Sequence, residues 1–263
     1  NDTITLDGQL GHEAAAYLGE GNDNITINGG TDGSYAARIY GQAGNDIITV
    51  SGDKLTRVSA YLGDGNDILN ASAATNTTNF YGAGQAGDDT FIGNDDSNTF
   101  DGGEGDDSIN GGNGDNTLYG ENGNDTLVSG SGDDTLYGGD NDDILNAGGG
   151  NDVIYGGGNS AKGDDGSVDI AVFSGTSNDY KVSRATDVTF GYVYYIQDTR
   201  DGSPDGLDTL YDIDKLRFSD GDFDIETYYQ EKVKGGAGDD ELPGTPGDDL
   251  IDGFGGDDTI TGL

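Results

Sequence analysis

The sequence predicts an all-β fold, a parallel β-roll with an antiparallel β-rich block set into it, and three features carry that expectation. A large apolar residue recurs every nine positions, at Phe91, Phe100, Ile109, Leu118, Leu127, Leu136, Leu145 and Ile154. Two positions before each stands an acidic or amide residue, and glycines come before that, as in GGEGDDSIN at 102–110. Beyond Val168 the nine-residue period lapses. There Val168, Ile170 and Val172, then Phe190, Tyr192, Tyr194 and Ile196, alternate with the two-residue period of strands.

The three residues around each repeat's apolar position suit a short strand with one side chain turned inward, because side chains alternate faces along a strand. The remainder of the repeat has to turn, and glycine supplies positive φ and lets backbones approach closely. Two half-turns of nine residues make one coil, so the residue stacked above any position is eighteen further on. On one side the positions before the strand are then Asp89, Asp107, Asp125 and Asp143; on the other they are Asn98, Asn116, Asp134 and Asp152. Stacked strands lie about 4.8 Å apart, and two carboxylates at that distance repel by roughly 3 to 4 kcal/mol at an effective dielectric near 20. A hard divalent cation removes that repulsion, and calcium accepts mixed carboxylate and carbonyl coordination.

The run GGEGDDSIN, GGNGDNTLY, GENGNDTLV, SGSGDDTLY, GGDNDDILN and AGGGNDVIY follows the pattern GGxGxDxUx, and in it the chain resembles the RTX family of secreted bacterial proteins. The resemblance implies a right-handed calcium-binding solenoid holding several Ca2+ ions, with the repeat aspartates and the turn carbonyls of neighbouring coils as ligands. It gives ligand roles to Asp89, Asp107, Asp125, Asp143, Asp134 and Asp152. Asn98 and Asn116 depart from the pattern, keeping a carbonyl oxygen but no charge, and weaker sites are expected there.

Upstream, the half-repeat recurs at longer intervals. GEGNDNIT, GQAGNDIIT, GDGNDILN and GQAGDDTF place Asp23, Asp46, Asp67 and Asp89 at spacings of 21 to 23, with Asp2 before them. Each coil here is expected to pair one acidic calcium-binding turn with a longer return, so that the acidic side runs unbroken from Asp2 to Asp143 and Asp2, Asp23, Asp46 and Asp67 join the expected calcium ligands. The returns EAAAYL, YAARIY, RVSAYL and TTNFY bring Tyr17, Tyr40, Tyr61 and Tyr81 before the glycine turn. Stacking in a ladder is the expected role of these tyrosines, and a platform for sugar or a partner is the rival one.

The chain divides into a long-coil roll at 1–83, tandem nine-residue repeats at 84–158, a linker at 159–167, a β-rich insert or cap at 168–234, and the start of a second array at 235–263. The block at 168–234 resembles one that follows the repeats in several RTX proteins, including alginate epimerase modules. Its expected role is to cover the open end of the stack, where strand edges lack partners. The repeats resume in GGAGDDELP, GTPGDDLID and GFGGDDTIT, which add Asp240, Asp249 and Asp258 to the expected ligands.

With 51 acidic and 11 basic residues the formal charge is −40, and 50 residues are glycine. One apolar residue per half-coil makes a thin core, so the metal-free chain is expected to be largely unfolded, with binding free energy serving as folding free energy. The absence of cysteine excludes disulfides and thiolate metal sites. No apolar run approaches the roughly eighteen residues of a membrane helix, and the charge disfavours nucleic acid. His12 and Glu13 in HEAAA invite comparison with a zinc peptidase, but Ala16 stands where the second histidine would be, and His12 is the sole histidine. Neighbouring carboxylates such as Asp106 and Asp107, at repeat spacing, read as calcium ligands and turn residues rather than an acid–base pair.

The chain is therefore not expected to be an enzyme. It is read as a calcium-binding structural module of a secreted or cell-surface bacterial protein, a surface layer or adhesin, for which the resemblance implies type I export and folding in external calcium. The alternative is the non-catalytic C-terminal module of a secreted enzyme such as an alginate epimerase, lipase or protease. Expected partners are calcium ions and either cell-surface polysaccharide or further copies of the chain. Both ends fall inside the repeat pattern, which reads as a segment of a longer protein. Ice binding through Thr5, Thr26 and Thr49 is disfavoured because Asn70 and Ile92 break the row.

Overall fold

The computed structural model describes residues 1–7, 14–29, 35–53, 55–75, 80–157, 167–234, 241–243 and 259–261. The long coils supply β1 (Thr3–Asp7), β2 (Ala14–Glu20), β3 (Asn24–Asn28), β4 (Tyr35–Ala43), β5 (Ile47–Asp53), β6 (Leu55–Asp64), β7 (Ile68–Thr75) and β8 (Phe80–Ala86). The tandem repeats supply β9 (Thr90–Ile92), β10 (Asn98–Glu104), β11 (Ser108–Asn110), β12 (Thr117–Asn122), β13 (Thr126–Ser131), β14 (Thr135–Asp140), β15 (Ile144–Gly149) and β16 (Val153–Gly157). Odd-numbered strands stack into one parallel sheet and even-numbered strands into another, so the chain changes sheet at every half-coil. The eighteen-residue rule holds: Ile109 pairs with Phe91 and Leu127, and Leu118 with Phe100 and Leu136.

The core is the thin seam between the sheets. Ile25, Ile48, Leu69, Phe91, Ile109, Leu127 and Leu145 stack from one sheet, and Ile39, Ala60, Phe100, Leu118, Leu136 and Ile154 from the other, all within 1 % of fully buried. Burying such a side chain contributes about 1.5–3 kcal/mol. Volume is traded between neighbours where the seam holds its largest rings. A Cβ on Gly82 would come within 2.8 Å of Leu69, 2.9 Å of Phe91 and 3.0 Å of Phe100, so glycine makes room for the aromatic pair.

The block after the tandem repeats joins the roll instead of standing beside it. It comprises β17 (Ile170–Val172), β18 (Tyr180–Asp187), β19 (Gly191–Asp198), β20 (Leu207–Tyr211), β21 (Lys215–Phe218), β22 (Gly221–Asp224) and α1 (Ile225–Lys234). β17 and β21 continue the first sheet in parallel, and β20 continues the second. The alternation at Val168, Ile170 and Val172 thus marks one more coil of the solenoid. Antiparallel strands appear where DYKVSRA and FGYVYYIQD predict them: β18 pairs with β19, β19 covers the edge of β20, and β22 covers β21.

The helix α1 is an addition to the expected β-rich block. Asp224 caps it by accepting the Thr227 N–H at 2.8 Å, and Ile225 and Tyr228, three apart, are buried on one face. The Tyr228 hydroxyl donates to the Ser177 carbonyl at 2.6 Å, and its ring joins Phe173, Tyr180, Phe218 and Phe223 over the end of the seam. Among the described residues no helix is long and apolar enough to cross a membrane. Finally β23 (Glu241–Pro243) and β24 (Thr259–Thr261) pair in parallel, with Leu242 opposite Ile260, again eighteen apart.

The outer face of the second sheet carries the tyrosines. Tyr17, Tyr40 and Tyr61 stack with centroids 4.7 and 5.2 Å apart, and Tyr119, Tyr137, Tyr155 and Tyr211 continue the same file at 4.6–4.8 Å. Tyr81 stands two positions out of that register, opposite Ser59, with Ala83 in the file itself. On the first sheet Thr5, Thr26 and Thr49 do line up, and the row ends at Asn70 and Ile92 as the sequence indicates.

Candidate metal sites

Every strand of the first sheet is entered through an aspartate, and the stacking of strands stacks these aspartates into a file. Asp23, Asp46, Asp67, Asp89, Asp107, Asp125 and Asp143 are all at least 97 % buried. At each step the main-chain N–H of one aspartate donates to Oδ1 of the aspartate one coil on. The distances are 2.8 Å for Asp23 to Asp46, 2.6 Å for Asp46 to Asp67, and 2.7–2.8 Å from Asp67 through to Asp143. Asp2 begins the file by donating in the same way to Asp23. The other side is built alike, from Asn98 to Asn116 at 2.9 Å, Asn116 to Asp134 at 2.7 Å and Asp134 to Asp152 at 2.8 Å.

Both files run on into the terminal block through residues that the nine-residue period does not reach. The Asp143 N–H donates to Asp169 at 3.0 Å, the Asp169 N–H to Asp214 at 2.9 Å, and the Asp152 N–H to Asp208 at 2.9 Å. A sequence signal was present for one of them: Asp208-Thr209-Leu210-Tyr211 repeats Asp134-Thr135-Leu136-Tyr137. A second, exposed ladder lies beside the first and runs the opposite way. The Asp106 N–H donates to Asp88 at 3.0 Å, Asn124 to Asp106 at 2.8 Å and Asp142 to Asn124 at 3.2 Å. The doubled Asn-Asp and Asp-Asp pairs of the repeat thus do two jobs, an inner residue facing the seam's edge and an outer one latching the coils. Asp240, Asp249 and Asp258 lie outside the described residues.

One oxygen of each inner carboxylate is left over. Oδ2 of Asp23, Asp46, Asp67, Asp89, Asp107, Asp125, Asp134, Asp143 and Asp152 is buried with no hydrogen-bond partner. Leaving such an atom unpaired costs about 1–3 kcal/mol, and more for a charged group. Burial pushes the acids up from their ordinary range, with the backbone N–H bond opposing it and neighbouring carboxylates adding to it. Asp67 and Asp125 rise to about 6, Asp107 to about 7, Asp89 to about 8 and Asp143 to about 9. Burial likewise raises Asp152 and Asp208.

The residues fit a hard cation. A Cβ on Gly120 would lie 2.3 Å from Asp125 Oδ2 and 2.4 Å from the Gly138 carbonyl oxygen, and one on Gly138 the same distances from Asp143 Oδ2 and the Gly156 oxygen. Gly84, with Asp89 Oδ2 at 2.1 Å and the Gly102 oxygen at 2.2 Å, repeats the arrangement. A carboxylate oxygen and a carbonyl oxygen from the next coil therefore converge on one spot that glycine alone leaves open. Among the described residues no three His, Cys, Asp or Glu side chains form a metal-holding group, so coordination has to draw on main-chain carbonyls. An all-oxygen donor set with few carboxylates per ion suits calcium rather than thiolate- or imidazole-seeking metals.

These features define a calcium-binding parallel β-solenoid, and comparison with known proteins identifies its repeat. The family model of the RTX calcium-binding nonapeptide repeat (4 copies) matches residues 83–109, 92–127, 101–136, 128–160 and 234–263. The chain carries RTX repeats, then, in the tandem stretch and again at its end, and these repeats bind calcium. A search among curated proteins returns no match.

Proposed function

We propose that the chain is a calcium-dependent structural module of a secreted or cell-surface bacterial protein, of the surface-layer or adhesin kind, folding on meeting external calcium after export. The observation that supports this reading is the file of buried Oδ2 atoms. The chain's own donors satisfy Oδ1 of each inner aspartate and leave Oδ2 without a partner, and at Asp89, Asp125 and Asp143 that Oδ2 lies beside the carbonyl oxygen of the next coil. The aspartates named above, with the Gly102, Gly138 and Gly156 carbonyls, would hold the ions; calcium supplies the positive charge that the ladder lacks. Without it, like-charged buried groups oppose the stacking that the thin seam favours. With it, each coil is fixed to the next, and a compact rod forms from a chain of charge −40.

A circular-dichroism titration from chelator into calcium tests the proposal. A cooperative gain of β structure is expected with a midpoint of roughly 0.1 to 1 mM, the range of extracellular calcium modules. Full β structure in chelator, unchanged by calcium, would refute it. The resemblance of the 168–234 block to that of alginate epimerase modules supports a second reading, a non-catalytic module of a secreted enzyme. The sequence joined to the module separates the two, a catalytic domain favouring the enzyme and further repeats the surface protein.

A further inference from the structure

The two amide positions of the second file differ from the aspartates in more than charge. Asn98 and Asn116 are each 99 % buried. The Asn98 Nδ2 donates to the carbonyls of Asp96 at 2.6 Å, Gly111 at 2.9 Å and Asn94 at 3.3 Å, and to Asn116 Oδ1 at 3.2 Å. The Asn116 Nδ2 donates to the carbonyls of Gly114 at 2.8 Å, Gly112 at 3.3 Å and Asn113 at 3.4 Å. The orientation is fixed by chemistry, since the atoms around Nδ2 are oxygens and a side-chain oxygen placed there would meet them lone pair to lone pair.

The same place in the aspartate turns holds Oδ2. A Cβ on Gly93 would lie 2.1 Å from the Gly111 oxygen and 3.1 Å from Asn98 Nδ2, just as a Cβ on Gly120 lies between the Gly138 oxygen and Asp125 Oδ2. At the aspartate turns two oxygens face each other and call for a cation. At the asparagine turns a nitrogen bearing two hydrogens faces the carbonyls and bonds to them directly, and the buried oxygen left without a partner at Asn98 is Oδ1, not the atom that faces the carbonyls.

We infer, on the strength of the calcium role proposed for the aspartate turns, that Asn98 and Asn116 form two metal-independent turns in which the side-chain amide stands in for the ion. The side of the roll that carries Asn98 and Asn116 then holds fewer metal turns than the opposite side, which is acidic from Asp2 onward. This narrows the ligand set expected from sequence, in which both asparagines were weak calcium ligands. The amides also remove one buried charge from each of two successive coils.

Counting bound calcium on the full chain, by equilibrium dialysis with metal analysis, tests the inference. Asn116→Asp is expected to bind one ion more than wild type, because it replaces the bridging donor with an orphaned carboxylate oxygen. Asn116→Ala is expected to keep the wild-type count while melting at lower temperature in saturating calcium. Asp125→Ala, as a control, is expected to lose an ion, because its Oδ2 and the Gly138 carbonyl converge beside Gly120. An unchanged count for Asn116→Asp, or an ion lost from Asn116→Ala, would overturn the inference. No calcium bound by wild type would instead overturn the proposed function, a result distinct from either.

Discussion

At the scale of single residues the structure turns on where a Cβ is forbidden. Gly120 has no side chain because the space beside it is where Asp125 Oδ2 and the Gly138 carbonyl converge. Gly120→Ala puts a methyl group about as far from both oxygens as an ion would stand, so it both overpacks the turn and blocks the site. A loss of one bound calcium is expected, with a destabilisation of about 1–3 kcal/mol, measured by calcium counting and chemical denaturation. A variant that keeps its full count would show that the ions lie elsewhere. The sequence made such positions legible because one spacing, nine, fixed both the strand and the turn, and Asp107, Asp125 and Asp143 fell eighteen apart without further information. Asp169, Asp208 and Asp214 escaped because their separations along the chain, 26, 56 and 45 residues from their ladder partners, are set by loops and strands in between. Which end of the Asn98 and Asn116 amides faces the carbonyls is a matter of three-dimensional surroundings, and no pattern of letters carries it.

At the scale of elements the terminal block solves the problem of a stack that must stop. β19 and β22 run antiparallel to the last parallel strands, and the ring cluster around Tyr228 closes the seam that the strands leave open. A polar network locks the turn that precedes β20. Arg200 contacts Asp198 at 2.8 Å and Asp205 at 3.1 Å, and donates to Ser174 Oγ at 2.8 Å and the Tyr180 hydroxyl at 2.9 Å. Arg217 pairs with Asp222 on the surface, where such a pair contributes little. Arg200 is different, because Asp198 and Asp205 are buried and the guanidinium is their cation. Arg200→Ala leaves both buried carboxylates with their main-chain and hydroxyl donors but without their cation, and a loss of about 3 kcal/mol is expected. Thermal melts in saturating calcium check it, and the ion count should stay at the wild-type value; an unshifted melt would mean that the network contributes no stability. The helix α1 was missed for an identifiable reason: ten residues rich in tyrosine and charge show a weak apolar stripe, and the Asp224 cap is the one firm start signal.

For the whole molecule, charge and fold are in opposition, and pH shows which way each form of the protein leans. Without calcium, the inner aspartates favour their protonated form in the folded roll, because burial and neighbouring carboxylates raise Asp67 and Asp125 to about 6, Asp107 to about 7 and Asp89 to about 8. The unfolded chain releases those protons near pH 3.9. The folded state then binds more protons than the unfolded state between these limits, so stability in chelator falls as pH rises from about 4 to about 8. With calcium the sign reverses, since a ligand carboxylate has to be ionised and protons compete with the metal. Circular dichroism in chelator should accordingly show the most β structure near pH 4 and the least above about pH 8, whereas in excess calcium the roll should hold at neutral pH and loosen on acidification. Stability in chelator that rises with pH over this window would mean that the inner carboxylates are not held together against their charge. In that case calcium would have no electrostatic work to do in folding the chain.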